Sequence, residues 1–154
     1  MPIVFSRVEE RLIHGQVTYS WSKALNYDVI VVVDDFSAND EIVKSMLVLA
    51  CPIGKSVYVF NEKTAIEKLN QFSKKVFLIA KSPLTFLNLI KHDIKITSLN
   101  IGSTNFAEGK REIFQTVFLS EPEIQAIREM INLGIPCEIQ KLPTTAKKKM
   151  SELI

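Results

Sequence analysis

The sequence predicts an α/β fold: an open, mostly parallel sheet of about seven strands with helices on both faces. Short runs rich in β-branched and aromatic residues alternate with stretches of helical period, which is typical of this class. Several of these runs are apolar almost throughout, as strands are when helices cover both of their faces. The 154 residues suffice for one substantial core and contain no linker or internal repeat, so we expect a single domain over 1–154.

Seven runs are predicted as strands from their β-branched and aromatic content. In chain order they are PIVFSRV (2–8), DVIVVVD (28–34), SVYVF (56–60), KVFLIA (75–80), ITSLNI (96–101), QTVFL (115–119) and CEIQKL (137–142). The stretch 102–115 fits a turn, a bulged hairpin or a short helix, and the sequence leaves these alternatives open. Because a parallel crossover needs a dozen or more residues, the last part of the sheet could include an antiparallel strand after this stretch.

Two helices are predicted from apolar residues at helical spacing. The first follows His14 and has apolar residues at i, i+4, i+7 and i+8, which are Val17, Trp21, Ala24 and Leu25. The second repeats this spacing with Ile42, Met46, Leu49 and Ala50. Both patterns indicate amphipathic helices with one apolar face.

Capping signals mark the remaining helices. Asn61 can cap a third helix, and Ser82 is followed by Pro83 at the first helical position of a fourth. Ser120 and Glu123 have the spacing of a capping box at the start of a fifth. Each signal lies within two residues of the end of a predicted strand, as the alternation of strands and helices requires.

Composition and charge exclude several classes of protein. The net charge is +2, from 19 basic and 17 acidic residues, which gives no electrostatic case for a nucleic-acid partner. The one dense basic run, AKKKM at 146–150, is interpreted as a solvated tail. The apolar runs are too short to span a bilayer and the start lacks the features of a signal peptide, so a cytoplasmic location is expected.

The two cysteines do not suggest a metal site. Cys51 and Cys137 lie far apart and lack a companion ligand pattern such as C-x-x-C. We interpret both as small buried apolar side chains in a reducing compartment. No metal and no cofactor are predicted.

Residues 6–17, SRVEERLIHGQV, connect the first strand to the first helix and contain the candidate site. In an open α/β sheet, ligands bind outside the carboxyl ends of the strands, and this connection lies at that edge. His14 would lie where the unpaired N–H groups of the helix start stabilise an anion. Gly15 allows an anion to approach the backbone, and Arg7 and Arg11 could bind phosphate or carboxylate through paired N–H donors.

The residue chemistry leaves two functions open for His14. It could act as a general acid or base on an anionic substrate, or its imidazole could be the nucleophile that carries a phosphoryl group. Such an attack needs a neutral ring, which is available near pH 7 from an unperturbed pKa of about 6.5. A structural alternative, in which His14 only caps the helix, also stays open at this stage.

Three motifs carry a resemblance to a known family: RVEERLIHGQV, VIVVVDD and LNIGSTNF. With them, nearly the whole chain resembles the IIB subunit of the mannose/fructose/sorbose family of the bacterial sugar phosphotransferase system. The resemblance implies a phosphocarrier, a protein-Nπ-phosphohistidine–sugar phosphotransferase, in which His14 accepts a phosphoryl group from a phosphohistidine of the IIA partner. The group would pass to the sugar that the IIC and IID membrane subunits import. The alternative is a non-catalytic phosphate- or ligand-binding regulatory module of the same fold.

The resemblance also assigns roles around His14. Arg11 would stabilise the phosphoryl group, Arg7 would assist or orient the loop, and Gly15 and Gln16 would offer backbone N–H groups to the same oxygens. The acceptor atom in the family is understood to be Nδ1. A homodimer and a peripheral association with the membrane through IIC and IID are implied as well.

Two stretches depart from the usual pattern of this family. Glu9 and Glu10 stand where an aspartate pair is usual, so no fine role is transferred to either residue. The later motif is commonly richer in glycine, whereas this chain has Gly102, Ser103 and Thr104. Neither departure changes the assignment of His14.

The remaining polar candidates have structural alternatives. Asp34 and Asp35 end the second predicted strand and could contact the loop, but an acidic pair would repel phosphate, so capping of the next helix is favoured. Ser103 and Thr104 follow the fifth strand, where contact with a phosphate or partner and an ordinary turn role are both open. His92 is interpreted as a solvated surface residue.

Overall fold

The computed structural model of the protein describes residues 2–154, and in this part of the chain nine strands and six α-helices are present. The strands are β1 (Ile3–Val8), β2 (Val29–Val33), β3 (Ser56–Phe60), β4 (Val76–Ala80), β5 (Leu99–Ile101), β6 (Lys110–Phe114), β7 (Val117–Ser120), β8 (Cys137–Ile139) and β9 (Lys148–Lys149). The helices are α1 (Gly15–Ala24), α2 (Asp35–Ala38), α3 (Glu41–Leu49), α4 (Glu62–Lys68), α5 (Pro83–Lys91) and α6 (Glu121–Asn132).

Seven strands form one sheet in the order β3-β2-β4-β1-β5-β8-β9. All neighbours in this sheet run parallel except β8 and β9, which pair antiparallel at one edge. The predicted class, an open and mostly parallel sheet with an antiparallel strand in its last part, is therefore confirmed.

One of the seven strands of the main sheet differs from the prediction. The predicted strand 115–119 lies outside the main sheet, where β7 pairs antiparallel with β6 in a separate hairpin. A two-residue turn at Gln115 and Thr116 joins them, with Thr116 in the left-handed region at a φ of 59°. The seventh strand of the sheet is instead β9, from the basic run interpreted as a solvated tail. Strand pairing with β8 and burial of Met150 fix this segment.

Alternate residues of the central strands supply two separate cores. Val29, Val31 and Val33 of β2 point into the core that α4, α5 and α6 cover. Ile30 and Val32 point into the core that α1 and α3 cover. Helices on both faces explain why these strands are apolar at every position.

Helix α3 packs through a different face from the predicted one. Leu47 is buried and Val43 packs beside it, whereas Ile42, Met46 and Leu49 are largely exposed. The sequence EIVKSMLVL is apolar around most of the helix. Helical spacing is therefore compatible with two buried faces, and it does not determine which of them contacts the sheet. The sheet contacts the face that carries Val43 and Leu47.

The predicted helix caps are confirmed. The side chains of Asn61 and Ser82 accept hydrogen bonds from backbone amides in the first turns of α4 and α5. At α6, the Ser120 hydroxyl accepts from the Glu123 amide at 3.3 Å, and the Glu123 carboxylate accepts from the Ser120 amide at 3.0 Å. The capping box therefore begins α6 directly at the end of β7.

The strand order creates a cleft at the carboxyl end of β1. The chain leaves β1 towards β2 on one side, and it later crosses from β4 to β5 on the other side of β1. The connections that follow β1 and β5 therefore diverge, which is where open α/β sheets bind their ligands. Within the described residues, no helix is both long and apolar enough to cross a membrane.

The capping box generates a first prediction. Ser120→Ala removes the acceptor for the Glu123 amide, and we expect the free energy of unfolding to fall by about 1 kcal/mol. Urea denaturation followed by circular dichroism measures this change. Ser73→Ala, in an exposed connection, is the control and should shift the free energy by less than about 0.5 kcal/mol. Equal losses for the two variants would contradict the contribution of the cap.

Candidate active site

The loop after β1 is held by its backbone and by two buried side chains. The Glu9 amide donates to the Ala80 carbonyl at 2.9 Å, and the Leu12 amide donates to the Glu9 carbonyl at 2.9 Å. Leu12 and Ile13 are buried in the core beneath α1. Because these two side chains point inward, Arg11 lies exposed on the loop's outer side.

His14 occupies the N-cap position of α1, but its ring does not cap the helix. Instead, the His14 amide donates to the Thr18 hydroxyl at 2.9 Å, and the Thr18 amide donates to the His14 carbonyl at 3.3 Å. The first-turn amides of Gly15 and Gln16 have no intrahelical acceptors, as at any helix start. The structure therefore argues against the purely structural alternative for His14.

Gly15 has a backbone reason to be glycine. Its φ is +43°, in the left-handed region that residues with a Cβ rarely adopt. A Cβ added there would meet no heavy atom within 4 Å, so space is not the constraint. The turn into α1 requires this residue, and the same turn leaves the helix start open.

The His14 ring is mostly buried beside a carboxylate. Its Nε2 lies 4.0 Å from Glu9 Oε1, and its Nδ1 is shielded from solvent without a hydrogen-bond partner among the described residues. Burial lowers the pKa of His14 below the ordinary 6.5, and the positive charge of Arg11 lowers it further. The ring is therefore neutral near pH 7. In the tautomer with its proton on Nε2, that proton is on the side of the Glu9 carboxylate and the lone pair is on Nδ1.

Arg7 lies beneath the loop and is 2% exposed. Its Nε and Nη2 each lie 2.9 Å from Glu9 Oε2, and its Nη2 also donates to the Lys141 carbonyl at 2.9 Å. Its Nη1 donates to the Gln140 carbonyl at 2.7 Å and to the Asn100 side-chain oxygen. These contacts occupy all five N–H groups of the guanidinium. The structure thus supports the orienting role for Arg7, since no donor is left for a phosphate in this conformation.

Glu9, which received no role from the sequence, connects Arg7 to His14. One carboxylate oxygen contacts the Arg7 guanidinium and the other faces the His14 ring. Burial raises the pKa of Glu9 above its ordinary value, while the positive charge of Arg7 opposes that shift. Gly102 lies against this pair, and a Cβ there would meet Arg7 Cζ at 2.8 Å. A glycine at this position leaves room for the ion pair.

A cavity of about 440 Å³ opens in front of His14. Of the predicted site residues, five line it: Arg7, Arg11, His14, Ser103 and Thr104. The Thr104 hydroxyl is occupied, because it donates to the Phe118 carbonyl and accepts from the Phe118 amide, both at 2.7 Å. Ser103 lies 3.3 Å from the Thr116 hydroxyl, oxygen to oxygen. The β6–β7 hairpin thus forms one wall of the cavity.

The predicted loop contacts of Asp34 and Asp35 are wrong. Asp34 caps α2 by accepting from the Ser37 amide at 3.1 Å, and it lies 3.5 Å from Lys81. Asp35 accepts from the Glu62 amide at 2.8 Å at the start of α4. Capping of the next helix, the favoured alternative, is confirmed for Asp34, whereas Asp35 lies in α2 and contacts the first amide of α4 instead.

The sequence reasoning missed three residues of the site, one on β5 beside β1 and two directly after β8. Lys141 lines the cavity, and its carbonyl accepts from both Arg7 and the Trp21 indole N–H, the latter at 3.1 Å. Asn100 and Gln140 complete the buried network around Arg7. The sequence did offer a signal for them, because these polar residues lie near the ends of two predicted strands, 96–101 and 137–142. Within residues 2–154, no three His, Cys, Asp or Glu side chains are grouped closely enough to hold a metal ion.

Comparison with known proteins identifies relatives over the whole chain. A family model described as the PTS system sorbose subfamily IIB component matches residues 3–154. The chain is 36% identical over 147 residues to the sorbose-specific EIIB component of Lacticaseibacillus casei, covering 94% of this chain and 90% of that protein. It is also 34% identical over 157 residues to the mannose-specific EIIAB component of Escherichia coli (strain K12), covering 100% of this chain. The chain spans about half, 49%, of the length of that second relative.

Solved structures show the same fold. The IIBSor domain of the sorbose permease from Klebsiella pneumoniae is similar with a TM-score of 0.93 at 30% identity, covering 99% of this chain and 95% of the other. The N-acetylgalactosamine-specific IIB component 1 from Escherichia coli is similar with a TM-score of 0.91 at 29% identity. That match covers 95% of this chain and 97% of the other.

The tight packing of Gly102 generates a second prediction. Gly102→Ala forces Arg7 and Glu9 apart, and we expect the free energy of unfolding to fall by about 1–3 kcal/mol. Urea denaturation measures the loss. Fluorescence of Trp21 reports it independently, because the Arg7 guanidinium lies 4.7 Å from that ring's centroid. Ser103→Ala, at the adjacent position, is the control and should change stability little. An unchanged denaturation midpoint for Gly102→Ala would contradict the packing argument.

Proposed function

Because the chain belongs to the sorbose-subfamily IIB components of the phosphotransferase system, a family of phosphocarriers, we propose that His14 is the residue that carries the phosphoryl group. One observation above all supports this. A neutral imidazole with an unbonded Nδ1 lies beside an open cavity, at a helix start whose amides have no intrahelical acceptors.

The proposed transfer needs a donor phosphohistidine on a IIA partner. The Nδ1 lone pair of His14 attacks phosphorus, the new P–N bond forms, and the P–N bond of the donor breaks with its electron pair returning to the donor imidazole. His14 then carries the phosphoryl group on Nδ1 and a proton on Nε2, so its ring is positively charged. In the unphosphorylated protein Glu9 Oε1 lies 4.0 Å from Nε2, so this carboxylate is near enough to the ring to stabilise that charge.

The second transfer reverses these changes on a different acceptor. A sugar hydroxyl attacks phosphorus, its proton is released, and the P–N bond breaks to restore the neutral ring. The products are a sugar phosphate ester and free His14. Phosphoryl transfer of this kind depends mainly on positioning and on charge stabilisation, with no metal ion required in the steps described.

Three groups are placed to stabilise the phosphoryl oxygens. The first-turn amides after His14, including those of Gly15 and Gln16, point outward at the positive end of α1. Arg11 is exposed on the cavity wall, and within the described residues no carboxylate lies within 4 Å of its guanidinium. Lys141, which also lines the cavity, adds a second cation. Since Nδ1 is shielded in the free protein, the ring must turn toward the cavity to receive the group.

We propose the partners from the family and from the surface around the cavity. A IIA domain or subunit donates the phosphoryl group, and the IIC and IID membrane subunits present the sugar, so the protein works in the cytoplasm at the membrane surface. Phe106 is largely exposed at the rim of the cavity and offers an apolar contact for docking partners. The named relatives differ in sugar, with mannose, sorbose and N-acetylgalactosamine all represented, so we assign no particular sugar.

Phosphorylation of intact protein tests the proposal directly. The protein is incubated with phosphoenolpyruvate, the general phosphotransferase proteins and a IIA component, and then analysed by intact-protein mass spectrometry. We expect one acid-labile, base-stable phosphoryl group on the wild type and none on His14→Ala. His92→Ala is the matched control, since the chain's other histidine is exposed and lies at the end of α5, and it should be labelled normally. Equal labelling of wild type and His14→Ala would refute the assignment.

The pKa of His14 provides a fourth prediction. The ring should titrate below 6.5 in the wild type and closer to 6.5 in Arg11→Gln, because the charge of Arg11 lowers this pKa. As the pH falls, the variant's ring therefore protonates first. NMR titration resolves this easily because the chain has two histidines. At pH 7 the His14 ring is neutral in the wild type and in Arg11→Gln. Slower transfer by the variant, on the order of 10²-fold, would therefore measure lost stabilisation of the phosphoryl group.

Lys23→Gln is the control for this titration. It removes a positive charge from the last turn of α1, at the opposite end of the helix from His14. The pKa of His14 and the transfer rate should both stay at their wild-type values. The same change in both variants would show that net charge, and not the position of Arg11, is responsible.

A further inference from the structure

Residues 105–110, which lead into β6, form a segment with few contacts of its own. Its first five residues are exposed, and among the described backbone hydrogen bonds one lies within it, from the Lys110 amide to the Ala107 carbonyl at 3.1 Å. Phe106 lies at the cavity rim with its ring against that of Phe118, at 5.8 Å between centroids. We call residues 105–110 the rim segment.

One carboxylate holds both ends of the rim segment. Glu10 Oε2 accepts a hydrogen bond from the Asn105 amide, and Glu10 Oε1 lies 3.4 Å from Lys110 Nζ. The side chains of Glu10 and Lys110 are 22% and 19% exposed, so salt screens this pair less than it screens an ion pair on the open surface. Hydrogen bonds to ionised groups are also roughly twice as strong as those between neutral groups. Glu10 therefore fixes the first and the last residue of the segment.

Lys110 has a second carboxylate partner at the start of α6. Its Nζ lies 3.6 Å from Glu123 Oε1, and Glu123, which forms the capping box of that helix, is 5% exposed. The Ser82 hydroxyl donates to the other oxygen of Glu123 at 2.7 Å. The ammonium group of Lys110 is thus placed by the helix start, and Glu10 joins the loop after β1 to that fixed point.

The loop after β1 carries two adjacent carboxylates with separate contacts. Glu9 contacts Arg7 and faces the His14 ring, whereas Glu10 contacts the rim segment. Glu10 and Lys110 are not among the described residues that line the His14 cavity. The Glu10 carboxylate therefore acts on the rim of the site and does not touch the reacting atoms.

We propose that Glu10 is a positioning residue for the docking of the phosphoryl donor, because it holds Asn105 and Phe106 at the rim before the IIA partner binds. This inference rests on the proposed function for the identity of the partner. Phenylalanine is among the residues enriched in protein interfaces. A segment that is already ordered loses less conformational freedom on association, so the partner binds more tightly.

Hydrogen exchange of the Asn105 amide, measured by NMR, tests the contact itself. In Glu10→Ala we expect this amide to exchange at least about tenfold faster than in the wild type, because its charged acceptor is removed. Glu10→Gln keeps an acceptor oxygen but has no charge for Lys110, so its rate should lie between those two. Glu108→Ala is the matched control, since it removes an exposed carboxylate from the same segment, and its rate should equal that of the wild type.

Affinity for the unphosphorylated IIA component, measured by isothermal titration calorimetry, tests the positioning role. We expect Kd to rise about tenfold in Glu10→Ala, with the circular dichroism spectrum unchanged. Glu67→Ala, which removes the same charge from the exposed side of α4, should bind like the wild type. In the transfer assay, Glu10→Ala should raise KM for phosphorylated IIA and keep the wild-type kcat, because uniform binding is lost and the chemistry is not.

Several results would overturn the proposal. Equal exchange rates of the Asn105 amide in the wild type and Glu10→Ala would do so, as would faster exchange with an unchanged affinity for IIA. A loss confined to kcat, or a wild-type protein that does not bind IIA, would overturn it as well. An unlabelled His14 in the wild type would refute the proposed function alone, because exchange and affinity are measured without phosphoryl transfer.

Discussion

The buried guanidinium of Arg7 is the interaction on which the site depends. A single cation from β1 joins the side chain of Asn100 on β5, two carbonyls that follow β8, and the carboxylate of Glu9. Removing one partner of a buried ion pair leaves the other charge uncompensated, which commonly costs 3–5 kcal/mol. The loop after β1 therefore has one position relative to the strands beside it, and the His14 ring takes its place from that arrangement.

Two arginines four residues apart have opposite environments because β1 ends between them. Arg7 belongs to the strand and points beneath the loop, while Arg11 follows the turn and stays in solvent contact. Paired N–H donors made both residues equal candidates for phosphate in the sequence. The distinction arises from the strand end at Val8, inside the motif RVEER, and from the buried partners below Arg7, which come from other strands.

The predictable part of the fold was the part with local physical causes. Apolar runs identified the parallel strands, and side-chain caps such as Ser120 with Glu123 identified helix starts. The sequence failed where the cause was distant. The side of α3 that meets the sheet, the pairing of β9 with β8, and the approach of Asn100 and Gln140 to Arg7 all depend on the order of strands in the sheet. His14 was predictable because its position needs only one strand end and one helix start.

The backbone of Leu12 shows what the active loop requires of its surroundings. This residue has a φ of 59°, a left-handed conformation that costs an L-amino acid about 1–2 kcal/mol, and its side chain is buried. Burial of a leucine in a hydrophobic core is worth about 1.5–3 kcal/mol, enough to hold the unfavourable conformation. A design that grafts the pentapeptide RLIHG onto another scaffold must therefore provide an apolar pocket for its leucine. Without that pocket, the backbone at this position would relax to a more favourable conformation.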